Sequence, residues 1–334
     1  MKKHGIISNI GFTAAAILLA QSVSAATLLN VSYDVTREFF KDYNDVFTVY
    51  WKNKTGETLT INQSHGGSSK QARAVADGLE ADVATMNQSN DIDILAEKEL
   101  LPKDWVKKYR DNSSPFTSTI VFLVRKGNPN GIKDWGDLVK PGLSVIIPNP
   151  KTSGNGRYTY LGAWIYARKK GGGDASAIDF EQKLFRNVPV LDAGGRGATT
   201  TFAQRGIGDV LVTFENEAFL TQRELADANL EIIYPSVSIL AEPPVAVVEK
   251  FASKHGTLKQ SRAYLEYLYS TEGQKLAARH YLRPRDAVVR SQYSATFKPL
   301  KLVGIDALGG WKRVQGIHFA DGGLFDQIYV PAAK

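Results

Sequence analysis

The segment SVIIPNPKTSGNGR, residues 144–157, joins a short apolar run to a turn of small residues. Its first five residues, 144–148, have the composition of a buried β-strand, and a proline fixes the turn that follows. Ser153 then offers a hydroxyl, and residues 154–156 offer backbone N–H groups just before a helix predicted to begin at Arg157. Because the first turn of a helix leaves N–H groups unpaired at the positive end of its dipole, the segment predicts a strand, an anion-binding turn and a helix.

Two further runs of small residues follow predicted strands and lead into helices. They are SHGGSSKQ, residues 64–71, and DAGGRGAT, residues 192–199. For the first run an ordinary strand-to-helix turn, in which Ser68 only caps its own helix, is an equally good interpretation. This first run lacks the spacing of a nucleotide P-loop. Three such turns predict a small oxyanion held by donors alone, which suits sulfate, whereas phosphate keeps a proton and needs an acceptor.

Short apolar runs alternate with helical patterns along the chain, which predicts an α/β fold. The predicted strands span residues 27–33, 58–64, 81–87, 119–126, 144–148, 188–192, 209–214, 230–234 and 245–248. The clearest helices span residues 36–55, 70–78, 157–170 and 261–269, and another begins at Thr271. The tyrosines Tyr264, Tyr267 and Tyr269 are interpreted as core positions, together with Leu268.

Residues 113–116 and 240–244 have the composition of connections between two domains. They predict a lobe of residues 119–240 inserted between the two halves of another lobe, residues 26–118 plus 241–334. A ligand is then expected in the cleft between the lobes, where helix N-termini gather at the carboxyl ends of strands.

The first 25 residues have the features of a cleavable signal peptide. Lys2 and Lys3 form a basic start, an apolar stretch follows over about ten residues, and small residues precede the expected cleavage after Ala25. The apolar stretch is too short to span a membrane. The chain is therefore expected to be exported, and we place it in the periplasm.

The composition excludes several classes of function. The 334 residues include no cysteine, so disulfides, thiol nucleophiles and a lipid-modified start are excluded. The net charge of +7, or +5 without Lys2 and Lys3, comes from basic residues scattered among acidic ones, so no nucleic-acid partner is expected. His65 beside Ser64 suggests a nucleophile and a base, but sequence neighbours need not face each other, and a triad needs an orienting acid. We expect a binding protein without enzyme activity, metal or cofactor.

Six stretches resemble the periplasmic sulfate-binding and thiosulfate-binding proteins. They are NVSYDVTRE (30–38), QSHGGS (63–68), NPKTSG (149–154), GIGDVL (206–211), ILAEP (239–243) and RPRD (283–286). The resemblance covers nearly the whole chain after the signal peptide. It implies a two-lobe periplasmic binding protein fold of type II with two crossing strands. It also implies a receptor, expected to be a monomer, that delivers sulfate or thiosulfate to an inner-membrane ABC permease for sulfur assimilation.

The resemblance also implies which residues hold the dehydrated dianion, all of them uncharged donors. They are the backbone N–H of Asp34 and Ser68 from one lobe and, from the other, the Ser153 hydroxyl and the backbone N–H groups of Gly154, Asn155 and Gly195. Arg157, Arg196 and His65 are expected to support the loops rather than to contact the ligand.

Phe214 departs from the sulfate-binding pattern, which has at this position a tryptophan whose indole N–H bonds the sulfate. Phenylalanine cannot donate, so a hydrogen bond worth roughly 1.5 to 3 kcal/mol is missing or replaced. Other features resemble the thiosulfate branch, so both dianions are expected to bind and their order of preference stays open. The alternatives are a receptor for another tetrahedral oxyanion such as molybdate, and a periplasmic hydrolase of sulfate or phosphate esters.

Overall fold

The computed structural model describes residues 26–329, and the predicted signal peptide lies outside them. The strands are β1 (Ala26–Tyr33), β2 (Leu59–Gly66), β3 (Val83–Thr85), β4 (Phe116–Val124), β5 (Val145–Pro148), β6 (Leu191–Asp192), β7 (Val210–Phe214), β8 (Glu231–Ile233), β9 (Ser238–Ala241), β10 (Val245–Val247), β11 (Arg283–Pro284) and β12 (Leu302–Val303). The helices are α1 (Arg37–Thr55), α2 (Ser68–Ala76), α3 (Ser89–Glu97), α4 (Arg110–Ser113), α5 (Gly154–Gly171), α6 (Asp174–Arg186), α7 (Gly195–Thr199), α8 (Glu215–Glu224), α9 (Glu249–Lys254), α10 (Leu258–Tyr267), α11 (Thr271–Arg279), α12 (Ala287–Gln292), α13 (Gly310–Val314) and α14 (Leu324–Ile328). None of the helices in this part of the chain has both the length and the apolar character of a membrane span.

The smaller sheet has four strands in the order β10-β3-β1-β2. β1 is parallel to both β2 and β3, and β10 is antiparallel to β3. Phe40, Tyr43 and Phe47 of α1 recur at a spacing of three or four residues, so they form one apolar face that is fully buried. The lobe built on this sheet is called the small-sheet lobe below.

The larger sheet follows the order β12-β9-β4-β7-β5-β6, and β8 and β11 also pair with β4. β5 is parallel to β6 and β7, whereas β4 is antiparallel to all of its partners. All five residues of β7 are buried, which agrees with a strand covered by helices on both faces. The lobe built on this sheet is called the large-sheet lobe.

The chain passes between the two sheets at the places where the sequence predicts connections. It enters the larger sheet at β4, and three residues separate β9 of the larger sheet from β10 of the smaller one. It returns to the larger sheet at β11, which pairs with β4, and again at β12, which pairs with β9. Residues of the C-terminal segment, among them Trp311, Phe319 and Phe325, lie in the core of the large-sheet lobe. Residues 302–328, which the sequence assigns to the other lobe, therefore pack on the large-sheet lobe, and the exact lobe boundaries stay a prediction.

The turn α4 has a left-handed backbone just before the first connection. Asp111, Asn112 and Ser113 have φ values of 54°, 56° and 57°. Such a conformation costs roughly 1–2 kcal/mol for each residue that is not glycine. Ser113 holds the turn, because its hydroxyl donates to the Trp105 carbonyl (3.0 Å) and accepts from the Tyr109 N–H (3.2 Å).

All nine strands predicted from the sequence are present, but three helices begin earlier than predicted, among them α10, which begins at Leu258 rather than at residue 261. α2 begins at Ser68 rather than at Lys70, and α5 begins at Gly154 rather than at Arg157. The small residues of these two runs therefore lie inside the first helical turns, and their N–H groups are the unpaired donors of those turns.

Candidate anion-binding site

Four helix starts follow the carboxyl ends of strands in the two sheets. In the small-sheet lobe, β1 runs into a 3₁₀ turn that begins at Asp34, and β2 leads to α2, whose first residue is Ser68. In the large-sheet lobe, β5 leads to α5, with Ser153 as its N-cap, and β6 leads to α7, whose first residue is Gly195. β1 is parallel to β2 and β5 to β6, so each pair brings its two helix starts to one edge of its sheet.

The loop before α2 touches both small-residue loops of the other lobe. A Cβ atom on Gly67 would overlap the backbone oxygen of Thr152 and lie 2.7 Å from that of Ala193. Real Cβ atoms essentially never come so close to backbone oxygens, so glycine is needed where the loops meet. The three runs of small residues thus lie together in the folded protein.

Tyr158 and Gly154 bring the start of α5 against Asn87 of the small-sheet lobe. The Tyr158 hydroxyl donates to the Asn87 carbonyl at 2.9 Å. A Cβ atom on Gly154 would overlap Asn87 Oδ1, which is buried without a hydrogen-bond partner among residues 26–329. The first turn of α5 is therefore pressed directly against the opposite lobe.

The hydroxyls of Ser68 and Ser153 do not cap their own helices. Both side chains are buried. Gly67 is the N-cap of α2, and Ser68 Oγ instead accepts the Asn87 N–H at 3.1 Å. Ser153 is the N-cap of α5, but its side chain makes no capping bond. The described contacts leave the proton of each hydroxyl available to a ligand, which disfavours the simple capping interpretation of Ser68.

Asn155 uses its side chain within its own lobe. Its amide Nδ2 donates to Thr213 Oγ1 at 2.9 Å and lies against Gly195. Its backbone N–H occupies the second position of α5, where no intrahelical partner exists. The Asn155 side chain thus ties the start of α5 to β7 and leaves the backbone N–H donor unused.

Arg196 connects the two lobes beside Asp34. Its backbone N–H donates to Asp34 Oδ2 at 3.1 Å. Its guanidinium donates to Glu38 at 2.6 Å across the lobes, and lies 3.2 Å from the buried carboxylate of Glu217 in its own lobe. Burial raises the pKa of Asp34, and the Arg196 N–H opposes that rise. The guanidinium of Arg196 is thus engaged by carboxylates of both lobes, and its supporting role stays a prediction.

Glu217 is expected to make stability depend on pH. Burial raises its pKa from 4.5 to about 7, and Arg196 offsets part of that rise. The folded state then binds a proton more tightly than the unfolded state, so the contribution of Glu217 is present below pH 4.5 and is lost as pH rises to about 7. We expect Glu217→Gln to gain up to about 3 kcal/mol of unfolding free energy relative to the unsubstituted protein between pH 5 and pH 8. Urea unfolding at several pH values measures this gain.

Glu224→Gln is the matched control, because Glu224 lies on the same helix at 3.9 Å from Arg196 but is exposed. The free energy of unfolding of Glu224→Gln should change with pH in the same way as that of the unsubstituted protein. If the free energy of unfolding of Glu217→Gln also changed with pH as in the unsubstituted protein, the raised pKa of Glu217 would be contradicted.

Arg157 supports its own loop and reaches toward the other lobe. Its Nε donates to the Pro150 carbonyl at 2.8 Å, and Nη1 lies 4.0 Å from Asp91 Oδ1. Asp91 Oδ1 accepts the hydroxyl of Ser69, the second residue of α2, at 2.9 Å. Arg157 and Asp91 therefore link the loop before α5 to the start of α2 from behind.

His65 pairs with a serine of the neighbouring strand. Its Nδ1 lies 2.6 Å from Ser32 Oγ, and burial, with Arg37 and Arg196 adding to it, lowers its pKa to about 4. Ser64 is instead hydrogen-bonded to Gln71. His65 and Ser64 do not face each other as a base and a nucleophile, and the neutral imidazole joins β1 to β2.

Phe214 is the last residue of β7 and stands beside Thr213 and the start of α5. It is 1% exposed and meets the rings of Tyr33 and Tyr158 edge-on, with centroids 6.3 Å and 5.5 Å away. Tyr33 directly precedes Asp34, so the phenyl ring lies between the helix starts of the two lobes.

Asn87, Glu38 and Glu217 also lie at this place, although the sequence did not predict them there. Asn87 is the last residue of the strand predicted over residues 81–87, so its position at a strand end was an available signal. Glu38 and Glu217 lie in the first turns of α1 and α8, where acidic residues are common for reasons of helix stability alone. Their convergence on Arg196 depends on the tertiary fold.

Comparison with known proteins gives one family match and several close relatives. The family model described as bacterial extracellular solute-binding protein matches residues 34–283. The thiosulfate-binding protein of Pseudomonas aeruginosa is 57% identical over 321 residues, 95% of this chain and 97% of the relative. The sulfate-binding protein of Escherichia coli is 55% identical over 316 residues, 93% of this chain and 96% of the relative. Among solved structures, the sulfate-binding protein SubI from Mycobacterium tuberculosis has a TM-score of 0.80 at 33% identity, covering 87% of this chain and 98% of that one.

Proposed function

Because this chain belongs to the bacterial extracellular solute-binding protein family, we propose that it is a periplasmic receptor that closes around sulfate or thiosulfate. It then delivers the ion to an ABC importer of the inner membrane. The observation that carries the proposal is the meeting of four helix starts, two from each lobe, with two buried serine hydroxyls. Donors of this kind match a dianion that carries no proton.

The arrangement of the lobes supports a closed state. Tyr158 donates to Asn87 across the lobes, Asn216 Nδ2 donates to the Val35 carbonyl at 3.1 Å, and Arg196 donates to Glu38. An open state must break these bonds, so a ligand that touches both lobes shifts the population toward closure. The closed surface is what the importer would recognise.

The ligand set that we propose consists of Asp34 and Ser68 from the small-sheet lobe and Ser153, Gly154, Asn155 and Gly195 from the large-sheet lobe. Support for the set comes from the positions of these residues at the four helix starts, and support for the ions comes from the names of the relatives. The test is calorimetric titration of ligand-stripped protein with sulfate and thiosulfate. We expect both to bind, with dissociation constants near or below about 1 μM, or −8 kcal/mol. Absence of heat with both ions would contradict the proposal.

Phe214→Trp is expected to strengthen sulfate binding by about one to two decades, because the indole N–H can supply the hydrogen bond that phenylalanine lacks. Titration of both ions measures it. Phe214→Leu is the control, since it removes the ring without adding a donor, and it should gain nothing. A folded Phe214→Trp variant with unchanged sulfate affinity would contradict this role of Phe214.

Two alternatives have separate readouts. A receptor for another tetrahedral oxyanion would bind molybdate in competition with sulfate. A hydrolase of sulfate esters would turn over nitrophenyl sulfate and lose that turnover in Ser153→Ala. We expect no turnover, since Ser64 and His65 do not face each other and residues 26–329 hold no group of three His, Asp or Glu side chains suited to a metal ion.

A further inference from the structure

A groove with a volume of about 740 Å³ lies on the small-sheet lobe, far from the anion site. Its walls are the C-terminal end of α1, the segment around α4, and the end of α10 with the residues after it. Tyr50 of α1 lines the groove, and at 1.5 Å per residue it stands roughly 20 Å from the helix start beside the anion site. We call this feature the tyrosine groove.

Two stacked pairs of tyrosines build the walls of the tyrosine groove. Tyr50 stacks on Tyr267 with ring centroids 4.4 Å apart, and Tyr109 stacks on Tyr269 at 5.9 Å. Tyr267 and Tyr269, which are predicted from the sequence to be core residues, are only half-buried. Their partial exposure follows from their place on the groove wall.

The tyrosine groove carries an excess of positive charge. Lys54, Lys107, Lys108 and Arg110 line it, against a single carboxylate from Glu266. Among these four cations only Lys108 forms an ion pair within residues 26–329, with Asp104 at 3.1 Å outside the groove.

Tyrosines position two of the uncompensated cations. Lys54 Nζ donates to the Tyr50 hydroxyl at 2.9 Å. The Arg110 guanidinium lies over the Tyr269 ring at 5.5 Å and donates to the Tyr269 carbonyl at 3.0 Å. Each cation is held in place at the groove without being neutralised, which is the arrangement that attracts a negatively charged partner.

The tyrosine groove continues into a second cavity of about 400 Å³, which shares Lys108, Tyr109 and Glu266 with it. Trp105 and Val247 give this second cavity an apolar part, and Arg262 and Glu249, which also line it, are paired with each other at 3.2 Å. A single small anion would fill only one end of the combined surface. An extended chain with acidic residues followed by apolar ones would occupy both ends, and tyrosine and arginine are the residues enriched at protein interfaces.

We propose that the tyrosine groove binds an acidic peptide segment of a partner protein. Its carboxylates lie against Lys54, Lys107 and Arg110, and its apolar side chains enter the second cavity beside Trp105. The segment docks without contact with the anion site, so the two binding events can be measured independently.

Calorimetric titration of the exported form with an acetylated, amidated peptide of four glutamates and two leucines tests the proposal at low salt. We expect saturable binding, at least tenfold weaker binding of the same peptide with glutamines in place of glutamates, and a further loss when four glutamates are followed by two glutamines. Lys107→Glu and Arg110→Glu should each weaken binding at least tenfold and leave sulfate binding unchanged. Lys133→Glu, at an exposed lysine of the large-sheet lobe, is the matched control and should bind the peptide normally.

Three results would overturn the proposal. One is absence of saturable peptide binding to the unsubstituted protein. Another is tripolyphosphate binding that equals peptide binding and is lost in the same variants, which would make the groove a simple anion site. The third is binding to phosphatidylglycerol vesicles but not to the peptide, which would assign the groove to a membrane surface.

Discussion

Replacing Gly67 with alanine is expected to weaken sulfate and thiosulfate binding 10- to 100-fold while leaving the unliganded protein at least as stable as before. The added Cβ would overlap the Thr152 carbonyl oxygen and lie 2.7 Å from that of Ala193, both in the opposite lobe. Both obstacles are backbone atoms, which cannot rotate away as a side chain does. Overpacking of this kind costs about 1–3 kcal/mol, and it is felt only when the lobes close.

The substitution is not expected to destabilise the open state, in which the lobes are apart. Gly67 has φ −56° and ψ 133°, which alanine adopts without strain. Alanine also reduces the conformational entropy of the unfolded chain, which stabilises by about 0.4–1 kcal/mol. The result that identifies closure as the affected step is therefore a large loss of affinity with no loss of unfolding free energy.

Gly66→Ala provides the matched control one residue away. A Cβ there would meet only the Gln71 side chain, at an ordinary 3.5 Å. Calorimetry should give it an affinity within about twofold of the unsubstituted protein, well under 1.4 kcal/mol. If Gly67→Ala also bound sulfate normally, the contact between the loops would not be part of the liganded state.

Replacing Arg196 with glutamine is expected to cost about 3–5 kcal/mol of unfolding free energy at pH 8, because it leaves the fully buried Glu217 carboxylate without its cation. At pH 5 the loss should be much smaller, since Glu217 is then protonated. The double variant Arg196→Gln/Glu217→Gln should recover most of the loss at pH 8. The variant should also bind sulfate more weakly, because the bond to Glu38 across the lobes is gone.

Urea unfolding of the single and double variants at pH 5 and pH 8 measures these free energies. Arg186→Gln is the control, since Arg186 is an exposed arginine for which no ion pair is present within residues 26–329. A double variant as unstable as Arg196→Gln alone would show that Arg196 acts through packing rather than through its charge.

Much of the site could be predicted because its parts are local. A strand, a run of small residues and the start of a helix lie within residues 144–157, and each part has its own sequence signal. Once the helix starts are known, their unpaired N–H groups follow from helix geometry. The family resemblance then indicated which of these starts belong together.

The parts that could not be predicted depend on contacts between distant residues. Nothing in the sequence indicates that Glu38 and Glu217 meet at Arg196, since charged residues in first helical turns are common. Tyr267 and Tyr269 lie close to the buried Tyr264 in the chain. Which of these tyrosines is buried and which line the groove depends on how α10 packs against α1. β9 was missed because its last two residues belong to the segment 240–244, whose prolines indicated only a connection.

The return of the C-terminal segment to the larger sheet limits how this protein can be divided. A fragment of residues 119–240 would lack Trp311, Phe319 and Phe325, which fill the core that its own helices α5 and α6 leave open. Such a fragment would expose that apolar surface and is expected to aggregate when expressed alone. Labels, fusions or cuts meant to report on closure are therefore better placed in exposed loops of the intact chain than at lobe junctions.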